Sequence, residues 1–343
     1  MKIRYKDYSP QGPTLAILRQ ADKILHEYAA DQYKLTVRQL YYVFISKDLF
    51  PPSWVDEEYN RRQGLAEGTL NTMKNYARLK DICTKGREGG FLDWDHFTDR
   101  SRELEKNPHW QNPERFLDNV CRQFKLDLWL GQPRRVEVWV EKEALSEVIG
   151  RACWPLDVPF FACKGYASAS SVWEAARYRF LLNYGQKGQT ITILHLSDHD
   201  PSGIDMTRDL RDRLRLYSTP TDRCGVSNAP RIRVRRLALT MAQIEEYDPP
   251  SNPAKESDAR YRAYQTEHGD ECFELDALMI RPGVMVTMIE EAIHEEMEDP
   301  ELFEGRQRLQ ETALEQLSQI SSDYSGIMEH LGLEHLDCGD EPD

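Results

Sequence analysis

The sequence predicts an α/β protein with a helical N-terminal module, a domain built on a parallel sheet, and a helical, acidic C-terminal part. Three observations predict it. Apolar residues recur at helical spacing through much of residues 14–83. Between residues 136 and 239, β-branched runs alternate with helical stretches, and a βαβαβαβ order argues for parallel strands joined by right-handed crossovers. From Glu290 onward, 17 Asp and Glu stand against only Arg306 and Arg308, a net of −15.

Each element follows in order. Residues 14–30 form a first helix, and Thr36 reads as an N-cap for a short amphipathic helix over Val37–Lys47 that Pro51-Pro52 ends. A third helical stretch runs from about Glu58 to Cys83, with Lys and Arg at its far end. Gly89-Gly90 leads into Phe91-Leu92-Asp93-Trp94, a short strand or wing. Three helices, a wing and basic residues on the third helix fit a winged helix-turn-helix module. After Asn112-Pro113 a linker helix reaches about Leu130, and Gly131-Gln132-Pro133 breaks it.

Strands are then expected at 136–141, 158–163, 190–196 and 231–239, with helices at 143–153, 170–184 and 202–216 between them. Residues 240–275 read as a long surface loop or short helices, and 283–298 and 306–333 as helices. The expected organisation is 1–110, a DNA-binding domain carrying the candidate tyrosine; 111–135, a linker helix; 136–295, the sheet domain; and 296–343, an acidic helical tail.

Composition bounds the function. At 343 residues the chain is long enough for two cores. It has no run of about 18 apolar residues, so no membrane span is expected, and residues 1–6 lack the apolar stretch of a signal peptide. The seven cysteines are scattered without a Cys-x-x-Cys pair, which points to the reducing cytoplasm and away from zinc or a disulfide framework.

The net charge of −14 is concentrated in the last sixth of the chain, leaving residues 1–289 at +1. Basic clusters stand at Arg61-Arg62, Lys74/Arg78/Lys80/Lys85/Arg87, Arg134-Arg135, Arg208/Arg211/Arg213/Arg215 and Arg231/Arg233/Arg235/Arg236. One such cluster reads more readily as a solvated face than as a phosphate track. Five on a near-neutral body make nucleic acid a candidate partner, with Arg61, Arg62, Lys74, Arg78, Lys80 and Lys164 the candidate DNA contacts.

The chemistry concentrates at two places. Thr190-Ile-Thr-Ile-Leu-His-Leu196 breaks into Ser-Asp-His-Asp-Pro-Ser-Gly203, and Val136–Val140 ends in Glu141-Lys142. Two parallel strands would deliver Glu141, Asp198 and Asp200 to one carboxyl edge, an acidic pocket suited to Mg²⁺. An N-capping Asp explains part of the same pattern, and His199 reads as structural. Arg38 and Tyr42 are i and i+4 on one helix face. A phenol is a poor nucleophile at neutral pH unless a neighbouring cation favours the phenolate. Adjacent tyrosines such as Tyr41-Tyr42 more often mean one core residue and one surface residue.

Together, Arg38-Gln-Leu-Tyr-Tyr42, Val140-Glu-Lys142 and Asp198-His-Asp-Pro-Ser-Gly203 resemble the A subunit of topoisomerase VI, whose family includes the meiotic double-strand-break transesterase. The resemblance covers roughly residues 30–295 and implies a TOPRIM domain, with Tyr42 as nucleophile, Arg38 as its supporting arginine, and Glu141, Asp198 and Asp200 as Mg²⁺ ligands. Lys164-Gly-Tyr166 and Glu274-Leu-Asp-Ala-Leu278 resemble family segments without an assigned chemical role. The early position of Tyr42 resembles short, orphan A-type proteins of phages, plasmids and mobile elements, which argues against an ATPase B subunit.

The implied activity is Mg²⁺-dependent cleavage of double-stranded DNA by a homodimer, each Tyr42 forming a 5′-phosphotyrosyl link with the metal provided by the other protomer's acidic site. The alternative is a hydrolytic TOPRIM nuclease of a defence system or mobile element, in which water attacks. A third reading is a non-catalytic DNA-binding module, against which three intact carboxylates argue. The acidic tail reads as a solvated helical surface, or as a DNA mimic over the basic groove.

Overall fold

The computed structural model describes residues 2–98, 108–219, 229–253 and 258–334. In chain order the helices α1–α4 are Gly12–Ala30, Val37–Ser46, Glu57–Arg62 and Met73–Glu88, followed by α5 at Pro113–Arg122. Strand β1 (Arg134–Val140), α6 (Ser146–Cys153), β2 (Phe160–Ala162), α7 (Ala169–Glu174, continued as a π-helix to Gly185), β3 (Thr190–Leu196), α8 (Pro201–Tyr217) and β4 (Ile232–Ala238) come next. The chain then forms α9 (Met241–Tyr247), β5 (Ser251–Pro253), α10 (Tyr261–His268), β6 (Glu271–Phe273) and helices α11–α13 at Pro282–Glu296, Pro300–Ser322 and Tyr324–Leu331. None of the described helices is long and apolar enough to cross a membrane.

By its packing the chain divides into two units, one of residues 1–101 with 136–296 and the other of residues 102–135 with 297–343. In the first unit, α1 buries Ile17, Leu18, Ala21, Ile24, Leu25 and Tyr28, the stripe expected of an amphipathic helix. Thr36 caps α2 as expected. Its hydroxyl accepts from the Gln39 amide at 3.2 Å, and Gln39 Oε1 accepts from the Thr36 amide at 2.7 Å, a reciprocal capping box.

Three expectations for the N-terminal module change. The helical stretch expected over 58–83 is two helices, because Gly64 and Gly68 take left-handed φ of 68° and 74° and Thr72 caps a new start. Of Tyr41 and Tyr42, neither is at the surface: they are 3 % and 1 % exposed, since α2 packs against α4 and against the turn Leu275–Ile280. Residues 91–94 form bends and the start of a 3₁₀ turn at Trp94–His96 rather than a strand, with isolated bridges at Arg4–Gly89 and Leu35–Phe97.

The four strands of the main sheet run parallel in the order β2-β1-β3-β4. Strand β3 spans the residues the sequence predicts, and Trp139, Phe180, Ile191, Ile193 and Leu214 are among the core it shares with β1, α8 and the π-helix. The region 240–275, expected as loop or short helices, holds α9 and α10 and also an antiparallel pair, with Ser251 facing Phe273 and Pro253 facing Glu271. Cys83, Cys121, Cys153 and Cys163 are buried free thiols, and Cys272 is buried as well; Cys224 and Cys338 lie outside the described residues.

In the second unit, α5 packs along α12. Trp129 meets Phe303 edge-on at 6.0 Å, and Gln310 Oε1 accepts from the Leu126 amide at 2.8 Å. The expected acidic tail is thus helical over most of its length; residues 335–343 lie outside the described residues.

Candidate active site

Strand order determines where the acidic residues meet. From β1 the chain crosses to β2 on one side, and from β3 to β4 on the other, so the crevice of this open sheet lies between the carboxyl ends of β1 and β3. Glu141 follows β1 and Asp198 and Asp200 follow β3, with the Glu141 amide donating to the Leu196 carbonyl at 2.9 Å. The Asp198 amide donates to Glu141 Oε2 at 3.0 Å. Asp200 Oδ1 caps α8, accepting from the Gly203 amide at 2.6 Å and the Ser202 hydroxyl at 3.0 Å. The capping role weighed for this pattern is therefore present at Asp200. The turn is so tight that a Cβ on Gly203 would lie 2.1 Å from the Asp198 carbonyl oxygen.

Asp198 Oδ1 accepts from the Leu275 amide at 2.7 Å and pairs with Lys142 Nζ at 2.8 Å. Lys142 also reaches Glu274 Oε2 at 3.1 Å and Asp276 Oδ2 at 3.3 Å, while the buried Asp276 Oδ1 finds no hydrogen-bond partner among the described residues. Glu274 in turn accepts from Arg38, Nη2 to Oε1 at 2.6 Å and Nε to Oε2 at 3.2 Å, and Arg38 Nη2 stands 3.2 Å from the Tyr42 hydroxyl. One network of charged hydrogen bonds thus runs from Tyr42 through Arg38, Glu274 and Lys142 to Asp198. The neighbouring Tyr41 hydroxyl is committed elsewhere, accepting from the Thr72 amide at 2.7 Å.

Burial and neighbours set the charges. Burial pushes Glu141 above the ordinary carboxylate range, reinforced by Asp198 and Asp200. Burial also raises Asp198 against the pull of Lys142 and the Leu275 amide. Burial alone would raise Glu274 as well, but Lys142 and Arg38 outweigh it and hold it at about 2. Lys142 stays charged because Asp276, Asp198 and Glu274 outweigh its own desolvation. Tyr42 is raised, first by burial and then by Glu274, so its phenol is protonated at neutral pH.

The three expected metal ligands come to one edge, but among the described residues no three carboxylate, imidazole or thiolate side chains converge on a common point. The donor chemistry still fits Mg²⁺, which takes one or two carboxylates and completes its shell with water and phosphate oxygens. Asp198 and Asp200 add to the burial that raises Glu141, and an Asp276 oxygen nearby finds no partner among the described residues, so a divalent cation would relieve repulsion here. A cleft of about 450 Å³ opens here, lined by Arg38, Lys142, Asp198, Asp200, Glu274 and Asp276 among others.

Two residues that reading the motifs did not assign hold the site together. Arg236 on β4, part of a basic cluster in the sequence, is a partly buried clamp. Its guanidinium donates to the carbonyls of Ser197, Asp198 and Gly203 and to the hydroxyls of Ser197 and Thr207, at 2.6–3.2 Å. Glu274 arrives because the main chains of His199 and Phe273 pair, at 2.8 and 3.0 Å. The buried His199 ring stands 2.8 Å from the Tyr264 hydroxyl. The signal for Glu274 was the Glu-Leu-Asp segment itself; nothing local to Arg236 distinguished it from its neighbours.

Of the candidate DNA contacts, Arg61 and Lys80 are exposed, and Arg62 is exposed but pairs with Glu58. Lys74 pairs with Asp56, Arg78 lies over the Trp54 ring, and Lys164 pairs with Glu143 at 2.9 Å. No family model matches the chain, and no curated protein matches it.

Proposed function

We propose that the chain is a Mg²⁺-dependent DNA-cleaving enzyme that acts by tyrosine transesterification, as a homodimer resembling the topoisomerase VI A subunit, with a winged-helix module and a TOPRIM-type sheet domain. The observation that carries this reading is the hydrogen-bonded network joining Tyr42 to Asp198 through Arg38, Glu274 and Lys142. Nothing in core packing calls for five charged or phenolic groups in one line, and burying charge is costly unless function or pairing repays it.

In this reading the Tyr42 oxygen bonds to a backbone phosphorus as the bond to the 3′ oxygen breaks, leaving a 5′-phosphotyrosyl link and a free 3′ hydroxyl. Arg38 supports the phenolate that forms, and Lys142 holds Glu274 and Asp198 in register. Glu141, Asp198 and Asp200 would hold Mg²⁺, which supplies charge neutralisation at the phosphate and leaving oxygen.

One observation favours a second reading. Tyr42 is 1 % exposed, so it reaches a phosphate only if the covering turn 275–280 moves. Without that movement the reaction is hydrolysis by water at the same carboxylates. Cleavage of supercoiled plasmid with Mg²⁺, stopped with SDS and run with and without proteinase K, separates the two. Protein-linked ends lost in both Tyr42→Phe and Asp198→Ala establish transesterification. Free ends that survive Tyr42→Phe but vanish in Asp198→Ala establish a hydrolytic nuclease.

A further inference from the structure

A second cavity, of about 590 Å³, opens on the other side of Arg38, among α2, α4 and the turn at Trp94. Its lining differs in kind from the acidic cleft. Tyr76, Trp94 and Phe97 supply three aromatic rings, and Arg38, Lys80 and Arg87 supply three cations. Arg87 lies over the Trp94 ring at 4.9 Å and the Phe97 ring at 4.7 Å, and Arg38 over the Tyr76 ring at 5.4 Å. Glu143, the carboxylate in the lining, is already paired with Lys164. Among the described residues neither Lys80 nor Arg87 meets a carboxylate, although the chain as a whole carries a net charge of −14.

Lys80 and Arg87, which meet no carboxylate among the described residues, stand beside three aromatic rings and suit a ligand with a flat aromatic part and an anionic part. Bases stack on aromatic side chains whatever their identity, and nearby Lys and Arg bind the phosphate. The volume lies in the range of small-ligand sites and is too small for a duplex. We infer that this cavity binds one unstacked nucleotide, its base against Trp94 and its phosphate on Lys80 and Arg87. The inference stands on this cavity alone and does not depend on how, or whether, Tyr42 attacks DNA. The nucleotide comes either from an unpaired stretch of a DNA strand or from a free mononucleotide, and the probes distinguish these.

The test is fluorescence anisotropy of a labelled hexathymidylate in EDTA, where no metal-dependent cleavage occurs, with calorimetric titration of thymidine 5′-monophosphate in parallel. Saturable binding is expected that thymidine lacking the phosphate fails to match. Trp94→Ala and Lys80→Ala, both at exposed positions and so not expected to disturb folding, should each weaken it about tenfold. Binding of both probes identifies a DNA strand as the source; binding of the monophosphate alone identifies a free nucleotide. Absence of binding by either probe, or affinities in both variants equal to the unaltered protein, overturns the inference. A chain that cuts no DNA yet binds these probes separates this inference from the cleavage reading.

Discussion

Two clefts share Arg38 and treat charge in opposite ways. On the sheet side, the cations Lys142 and Arg38 are turned inward and bonded to Glu274, Asp198 and Asp276, and the carboxylates outnumber them. On the helical side, Lys80 and Arg87 line the cavity without carboxylate partners among the described residues. The first arrangement fixes geometry: every charge is held by its neighbours, and what is left over is negative potential for a cation. The second leaves its positive charge for a ligand to satisfy. Stability should therefore depend on the acidic cleft and ligand binding on the basic one.

The largest expected effect breaks the acidic side from behind. Arg236→Ala removes the donors to the main-chain carbonyls of Ser197, Asp198 and Gly203, and should cost about 3 kcal/mol, lowering Tm by roughly 10 °C. Lys80→Ala should stay within about 0.5 kcal/mol. Calorimetric melts of the two variants that coincide would erase the contrast.

Next is acid sensitivity. Glu274 is held at about 2, so the stability it contributes is fully present above its ordinary value of 4.5 and is lost as pH falls toward 2. Urea midpoints between pH 5.5 and 2.5 should show a loss on the order of 2–3 kcal/mol that Glu274→Gln largely removes. An unchanged pH slope in the variant would place the acid sensitivity elsewhere.

A smaller effect sharpens the metal assignment. Glu141 is raised, so its charged form costs stability as pH rises through its folded value, and a bound cation offsets that cost. Addition of Mg²⁺ should raise Tm more at pH 8 than at pH 5.5, and Glu141→Gln should reduce the difference. Equal shifts at both pH values would remove Glu141 from the ligand set. The smallest effect lies on the basic side, where Lys80→Ala should lower the salt slope of DNA binding by about one.

Much of this was legible in sequence because it is local. Strand β3 followed from a β-branched run with sharp ends, the start of α2 from a Thr-x-x-Gln box, and the acidic edge from Glu141 and Asp-x-Asp at strand ends. What was not legible depends on distant partners. The burial of both Tyr41 and Tyr42 needs the turn 275–280 to pack on α2, more than two hundred residues away. The split of the 58–83 stretch was carried by Gly64 and Gly68, whose left-handed φ ends a helix that charge pattern alone would continue. Arg236 sits in a run of four arginines among which only its register on β4 selects the one that turns inward.

The pairing of His199 with Phe273 has a consequence for anyone searching other chains for this arrangement, or grafting it. The acidic turn does not stand alone: its orientation is shared with a strand that follows some seventy residues later and with a guanidinium from β4. A short contiguous signature would find helix-capping aspartates in unrelated proteins. The portable unit is a discontinuous pattern, Glu-Lys after the first strand, Asp-His-Asp-Pro-Ser-Gly after the third, an inward Arg on the fourth and Glu-Leu-Asp after β6, and its parts should be inherited, lost or transplanted together.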